Sequence, residues 1–242
     1  MDTTRAIIIR SETSGEADIL ITAYTEAFGK QNFVARGGRK MEAKLRPDLK
    51  PYSLVELSFV RGKNNFLLTG AKTIENFTNG AAAKDFFAAS VISSIIDTFI
   101  VQPERDERLF LNILFSFRAL ANNSEKNSWV VVQRFFWDLL NLQGTFILSK
   151  KCRQCANNFN YGASLTSDGE LLCTTCSPDG IFNFDQEDLY AIGQILNSKS
   201  GEDMPGHVFE HLNSGLKTFL LKEKTYPAPN QQAVSWFLER VI

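Results

Sequence analysis

Four cysteines are the residues best equipped for chemistry. Cys152-Arg153-Gln154-Cys155 and Cys173-Thr174-Thr175-Cys176 are two CxxC knuckles, and seventeen residues separate the inner cysteines. Two intervening residues let both sulfurs of a knuckle face one metal from a tight turn, and this separation between knuckles is that of a zinc site. Four thiolates supply the closed tetrahedral shell of a structural Zn2+, with Zn–S near about 2.3 Å. One structural zinc ion is therefore the expected cofactor. A closed shell has no open position for water, which argues against a catalytic metal. Two knuckles at this spacing are also not the arrangement of a redox CxxC. All four cysteines of the chain are used, with none left over.

Other reactive residue types are sparse. The chain has two histidines, His207 and His211, four apart on an expected helix. The string His-Val-Phe-Glu-His lacks the glutamate placement of a zinc protease helix, so surface or half-buried histidines are expected. Asp185, Glu187 and Asp188 fall where a helix should begin, where capping and the helix dipole explain them without chemistry. No nucleophile–base set is visible, so no catalytic residues and no enzyme are expected.

The elements that must position the cysteines follow from periodicity. Up to about residue 75 the chain reads as β, with apolar and β-branched runs at 6–9, 19–25, 33–35, 54–60 and 66–74. Turn signals separate them, among them Ser14-Gly15, Gly29-Lys30, Gly37-Gly38 and Arg61-Gly62-Lys63-Asn64. Five strands fit a small closed barrel of the oligonucleotide-binding (OB) type. An SH3-like barrel or a small sandwich fits the strand count nearly as well. Composition then shifts to helix, expected over about 81–101 (stopped by Pro103), 104–121 and 128–142. The cysteine insert comes next, with Gly162 and Asp168-Gly169 suggesting a short hairpin that joins the knuckles. Helices return at 186–197, about 205–221 and 231–242. The aromatic density of the middle helices, from Phe86 to Trp137, is expected to be core packing.

Composition bounds the rest. The chain has 242 residues, 44% hydrophobic and 22% charged, with a net charge of -1. That is ordinary for a globular protein and excludes wholesale disorder. The N-terminal apolar run is too short for a signal peptide, and the 86–101 stretch is broken by polar residues, so a cytoplasmic protein without a membrane segment is expected. The near-neutral total hides a local excess. Between Lys30 and Lys63 nine cations stand against three carboxylates. Lysine and arginine beside Gly37-Gly38 could neutralise phosphates, and Phe33, Tyr52 and Phe66 could stack on bases, although barrel core is the expected place for each ring.

Several motifs, in order, resemble the RecO family of bacterial recombination mediators. They are Glu16-Ala17-Asp18-Ile19-Leu20, Tyr24-Thr25-Glu26 with Gly29-Lys30, Val34-Ala35-Arg36-Gly37-Gly38-Arg39-Lys40, Leu49-Lys50-Pro51-Tyr52 and Thr73-Ile74-Glu75. Gln133-Arg134-Phe135-Phe136-Trp137-Asp138-Leu139-Leu140 follows, then Gly144 and the cysteine insert. The resemblance spans essentially the whole chain. It implies an α+β fold: an N-terminal OB-fold barrel over 1–78, then a helical domain over 79–242 with an inserted four-cysteine zinc-binding element at 150–180. It also implies a mediator of DNA repair that binds and anneals single- and double-stranded DNA. With RecR such a protein helps load RecA on strands covered by single-strand binding protein, whose C-terminal tail it also binds. A bacterial, nucleoid-associated location goes with that role. The DNA-binding residues implied are Lys30, Arg36, Arg39, Lys40, Lys44 and Arg46. The partner's acidic, apolar-ended tail needs a hydrophobic pocket rimmed by cations, for which Arg118, Arg134 and Lys150 are candidates. The alternative is a zinc-containing interaction scaffold that does not touch DNA directly.

Overall fold

A computed structural model describes residues 1–39, 45–62, 65–79, 82–100, 104–122, 128–143, 151–159, 162–166, 170–180, 182–197 and 206–222. The helix expected at 231–242 lies outside them. By packing, the chain forms two compact units, residues 1–89 with 96–124, and residues 90–95 with 125–242.

In the first unit five strands close a barrel: β1 (Asp2–Ser14), β2 (Asp18–Thr25), β3 (Gly29–Ala35), β4 (Ser53–Arg61) and β5 (Phe66–Asn76). Their order around the barrel is β1-β2-β3-β5-β4, and β4 pairs back onto β1. All pairings are antiparallel except β3 with β5. This is the OB-fold, selected over the other small β folds by that strand order. Ala6, Ile8, Ile21, Phe33, Leu57 and Phe59 are among the side chains filling the interior, as the two-residue strand period requires.

Ile7 and Ile9 belong to the opposite face of β1 yet are also buried. The outside of the barrel is covered too, which is why 6–9 reads as an unbroken apolar run rather than an alternation. Helix α1 (Ala83–Phe99) and helix α2 (Glu107–Ala121) contribute to that covering. Tyr52 packs on Phe86 at 5.4 Å and on Phe117 at 5.7 Å, and Phe77 stacks on Phe117. Tyr52 has φ +58°, a costly conformation for a bulky residue. Two hydrogen bonds hold it: its N–H donates to the Ile8 carbonyl (2.8 Å) and its carbonyl accepts from Phe77 N–H (3.1 Å). Helix α2 starts at Glu107 because the Asp106 carboxylate caps it, accepting from the N–H groups of Arg108 and Leu109.

The second unit holds α3 (Ser128–Leu142), a three-stranded sheet of β6 (Ala163–Leu165), β7 (Leu171–Cys173) and β8 (Phe182–Phe184), then α4 (Gln186–Asn197) and α5 (Gly206–Lys222). The sheet order is β7-β6-β8, so the expected hairpin gains a third strand. A fully buried amide ties α3 to α5: Gln133 donates to Asn213 (2.7 Å) and accepts from the Trp137 indole N–H (2.9 Å). Trp137 also meets the Phe184 ring at 5.7 Å. No helix among the described residues is long and apolar enough to cross a membrane.

Candidate metal centre and nucleic-acid interface

The first knuckle is a tight turn. Ala156 N–H donates to the Cys152 carbonyl (2.8 Å), and Cys152 N–H donates to the Asn157 carbonyl (2.8 Å). Ala156 takes a left-handed conformation at φ +58°, which lets the chain reverse behind the second cysteine. The second knuckle closes where β7 ends, with Cys176 and Ser177 both donating to the Cys173 carbonyl. Sheet pairing brings the two together. Gly162 (φ +97°) lets the start of β6 lie close to β8, because a Cβ there would stand 2.2 Å from the Phe184 carbonyl oxygen.

The four sulfurs all lie within 4.8 Å of one another, and none forms a disulfide. The Cys155 and Cys173 sulfurs are 3.7 Å apart. Four ligands about 2.3 Å from a central ion stand about 3.8 Å from each other along a tetrahedral edge, so the cluster fits a metal without rearrangement. Its electrostatics point the same way. Burial raises the Cys152 thiol, but N–H groups of Cys173, Cys155 and Gln154 outweigh it and bring it down to about 6. Hydrogen bonding with the Cys173 and Cys155 sulfurs pushes Cys176 up to about 12. Sulfurs this crowded cannot all ionise alone, and a cation at their centre removes the conflict.

A second group, Asp185, Asp188 and His211, also comes within 4.8 Å. Its carboxylates serve the start of α4. Asp185 Oδ1 accepts from Asp188 N–H (2.8 Å) and Asp188 Oδ2 accepts from Asp185 N–H (2.9 Å), a reciprocal cap. His211 Nδ1 lies 2.6 Å from the same Asp188 oxygen, and His207 Nε2 lies 2.8 Å from Glu187. The acids and histidines thus join the first turn of α4 to α5, the capping role expected of the acids.

On the barrel, an open groove of about 680 Å³ runs beside the end of β1. Ile19, Leu49, Pro47 and Pro51 give it an apolar floor, and Arg39, Arg46 and Lys50 give it three cations, with Glu12 opposing them. All three cations are exposed. The turn after β3 is pinned to the turn after β1. Gly37 N–H donates to Asp18 (2.8 Å), Arg39 N–H donates to the Ala17 carbonyl (2.9 Å), and the Arg39 guanidinium reaches the carbonyls of Gly15 and Glu16. The 3-10 turn Arg46–Asp48 is pinned to β5, because Asp48 accepts from both the N–H (2.9 Å) and the hydroxyl (2.7 Å) of Thr73.

Comparison with known proteins agrees with this architecture. Residues 1–77 match the family model described as Recombination protein O N terminal, and residues 83–220 match Recombination protein O C terminal. A Nocardioides protein named DNA repair protein RecO is 25% identical over 239 residues, covering 90% of this chain and 98% of its own. Proteins of the same name from Syntrophomonas wolfei (28% identical, 81% of this chain and 78% of its own) and Caldanaerobacter subterraneus (23%, 72% and 70%) are also similar. The chain belongs to the RecO family. Its role accordingly lies in DNA repair and recombination.

The motifs that resemble RecO turn out to be pins of this fold. Asp18 and Gly37 form one contact, Thr25 bridges the Phe28 N–H and the Gly29 carbonyl, Thr73 meets Asp48, and Gln133 joins α3 to α5. Cations from the sequence reading of this RecO-family chain separate into groups. Arg39 and Arg46 line the groove, and Arg36 is exposed at the adjoining end of β3. Lys40, Lys44 and Lys150 lie outside the described residues. Lys30 is half-buried: its ammonium donates to the carbonyls of Ile96 and Asp97 (3.4 and 3.0 Å) and lies 3.4 Å from the Asp97 carboxylate. Burial lowers its pKa although Asp97 counteracts. Lys30 therefore caps the end of α1 and does not face solvent with the groove cations. Arg118 donates twice to Glu75 (2.9 and 2.8 Å), joining α2 to β5. The Arg134 Nε donates to the Ile195 carbonyl at 3.4 Å.

Sequence reasoning passed over two participants. Lys50 sits in the groove and was available from its place beside Pro51. Arg10 reaches the buried Asp97 at 3.3 Å, and no local signal links residues so far apart in the chain. Phe33 is buried in the barrel and Phe66 packs against that core, as expected, whereas Tyr52 is buried outside the barrel, against Phe86 and Phe117.

Proposed function

We propose that this chain is a recombination mediator that performs no covalent chemistry: it binds single- and double-stranded DNA in the barrel groove and anneals complementary strands. The observation that carries this is the groove itself, with Arg39, Arg46 and Lys50 over an apolar floor on an OB barrel. In a general OB-fold the face of strands 2 and 3 takes the ligand. Here that face is engaged by the segment after the barrel. Lys30 and Arg10 hold Asp97, and the Tyr24 hydroxyl donates to the carbonyls of Glu104 and Asp106. Among the described residues the open cationic surface beside the β3–β4 connection is available for phosphates, and Arg36, Lys40 and Lys44, its neighbours in sequence, are further DNA contacts in this reading.

The ion at the cysteines is zinc, bound by Cys152, Cys155, Cys173 and Cys176, and it supplies structure rather than reactivity. RecR and the C-terminal tail of single-strand binding protein are the protein partners, and RecA loading is the outcome. Arg118, Arg134 and Lys150 stand as the cations for the tail. The setting is the bacterial cytoplasm at the nucleoid. A strand-annealing assay on DNA coated with the cognate single-strand binding protein tests the role. Stimulation that disappears when the tail is removed is the expected result. Annealing that is absent on bare and coated strands alike would contradict it.

A further inference from the structure

Among the described residues no ring capable of stacking on bases lines the groove, and the sequence around it is poor in them. From Arg36 to Pro51 there is no aromatic residue, and none occurs in the β1–β2 turn (residues 15–17) or in residues 61–65. The rings of the barrel are committed elsewhere. Phe33 and Phe59 are inside it, Phe66 packs against them, and Tyr24, Tyr52 and Phe77 are buried. Phe28 keeps an exposed ring, but it lies in the β2–β3 turn, packed edge-on against Phe59. Ile19, which lines the groove, pairs with Ala35, whereas Thr25 pairs with Gly29. Phe28 is thus at the far end of the strands, about 20 Å away at about 3.3 Å per residue.

The side chains that do line the groove are suited to phosphates. Arg39, Arg46 and Lys50 are donors without an aromatic neighbour in the groove lining, and the floor of Pro47, Leu49, Pro51 and Ile19 presents aliphatic surface. A sugar-phosphate chain can lie on such a surface, with charge neutralisation providing affinity and register. Base stacking on a ring, the usual second contribution in single-strand OB sites, has no platform among the described residues of the groove.

We infer that the groove grips the phosphodiester backbone and leaves the bases unheld, so that bound strands keep their pairing edges and faces free. This rests on the proposal that the groove binds DNA. A strand held in this way remains competent to pair, because no base must leave a ring before it meets its complement. It also makes binding indifferent to whether bases are present.

The test uses fluorescence anisotropy at low salt with two labelled probes of about twenty residues, longer than the span of one OB site. One is an oligothymidylate and the other a chain of abasic phosphates of equal length. The full protein and an R46E/K50E variant, checked by thermal melting for an unchanged fold, are each titrated. Equal affinity for the two probes within about threefold, lost for both in the variant, is the expected result. Each stacked base contributes about five- to 150-fold. An abasic probe bound at least tenfold more weakly, with binding still lost in the variant, would overturn the backbone-only mode while leaving the groove in place. Binding that survives charge reversal, or no binding to either probe, would overturn the groove and this inference together.

Discussion

Asp138 sits half-buried on α3. Burial pushes its carboxyl up from the ordinary 3.8 to about 6, against the pull of Arg134. The folded state therefore binds this proton more tightly than the unfolded chain does. Stability contributed by the protonated form is full below about pH 4, falls as pH rises to about 6 and is level above that. A shift of this size corresponds to at most about 3 kcal/mol, and solvent at a half-buried site reduces it to about 1–2 kcal/mol. Asp138→Asn is expected to stabilise the protein by that amount at pH 7.5 and by nothing near pH 3.5, measured by urea denaturation at both values. A variant destabilised equally at both would show that Asp138 works through hydrogen bonds instead. At this scale the cysteines were fully legible, because their geometry is local: two turns and one spacing. Lys30 was not. In sequence it is one cation in a basic strip, but its carboxylate partner, Asp97, is 67 residues away. Burial and partnership are tertiary facts, so charge counting could not separate Lys30 from Lys50.

The elements were legible wherever periodicity ran for several residues. The five strand runs and the helices at 128–142 and 186–197 appear where the apolar pattern put them. Helix α2 begins three residues later than the pattern suggested, because Asp106 caps with its side chain. Strand β8 escaped because Phe182-Asn183-Phe184 is too short to show a period and forms only by pairing with β6. The Arg46–Asp48 turn shows what an element does for the groove. Asp48 is an acid beside three cations, so simple electrostatics says that removing it should tighten DNA binding. Its bonds to Thr73 instead fix the turn that carries Arg46 and leads to Lys50. Asp48→Ala is expected to weaken single-strand binding about three- to tenfold despite the gain in positive charge, because the cations lose a fixed register. Tighter binding by the variant would show that the turn needs no anchoring.

For the whole molecule, a net charge of -1 concealed a cationic groove, since totals average over surfaces that a ligand meets one at a time. The metal centre has a different global role. Its four ligands come from both sides of β6, and in a small sheet of three-residue strands metal binding is folding free energy. Chelation is expected to lower the thermal midpoint and to expose the four thiols to a thiol reagent, while affinity for a single strand stays within about twofold. A midpoint that does not move on metal removal would show that the sheet stands without the ion. The proposal of a DNA-binding groove is tested most directly by the salt dependence of single-strand binding in the parent protein and in an R39E/R46E/K50E variant. Each phosphate contact contributes about 0.7 to the slope of log affinity against log salt for a single strand. The expected result is a slope about two units shallower in the variant, with affinity at low salt reduced by more than tenfold and melting unchanged. The same slope and affinity in both proteins would contradict it.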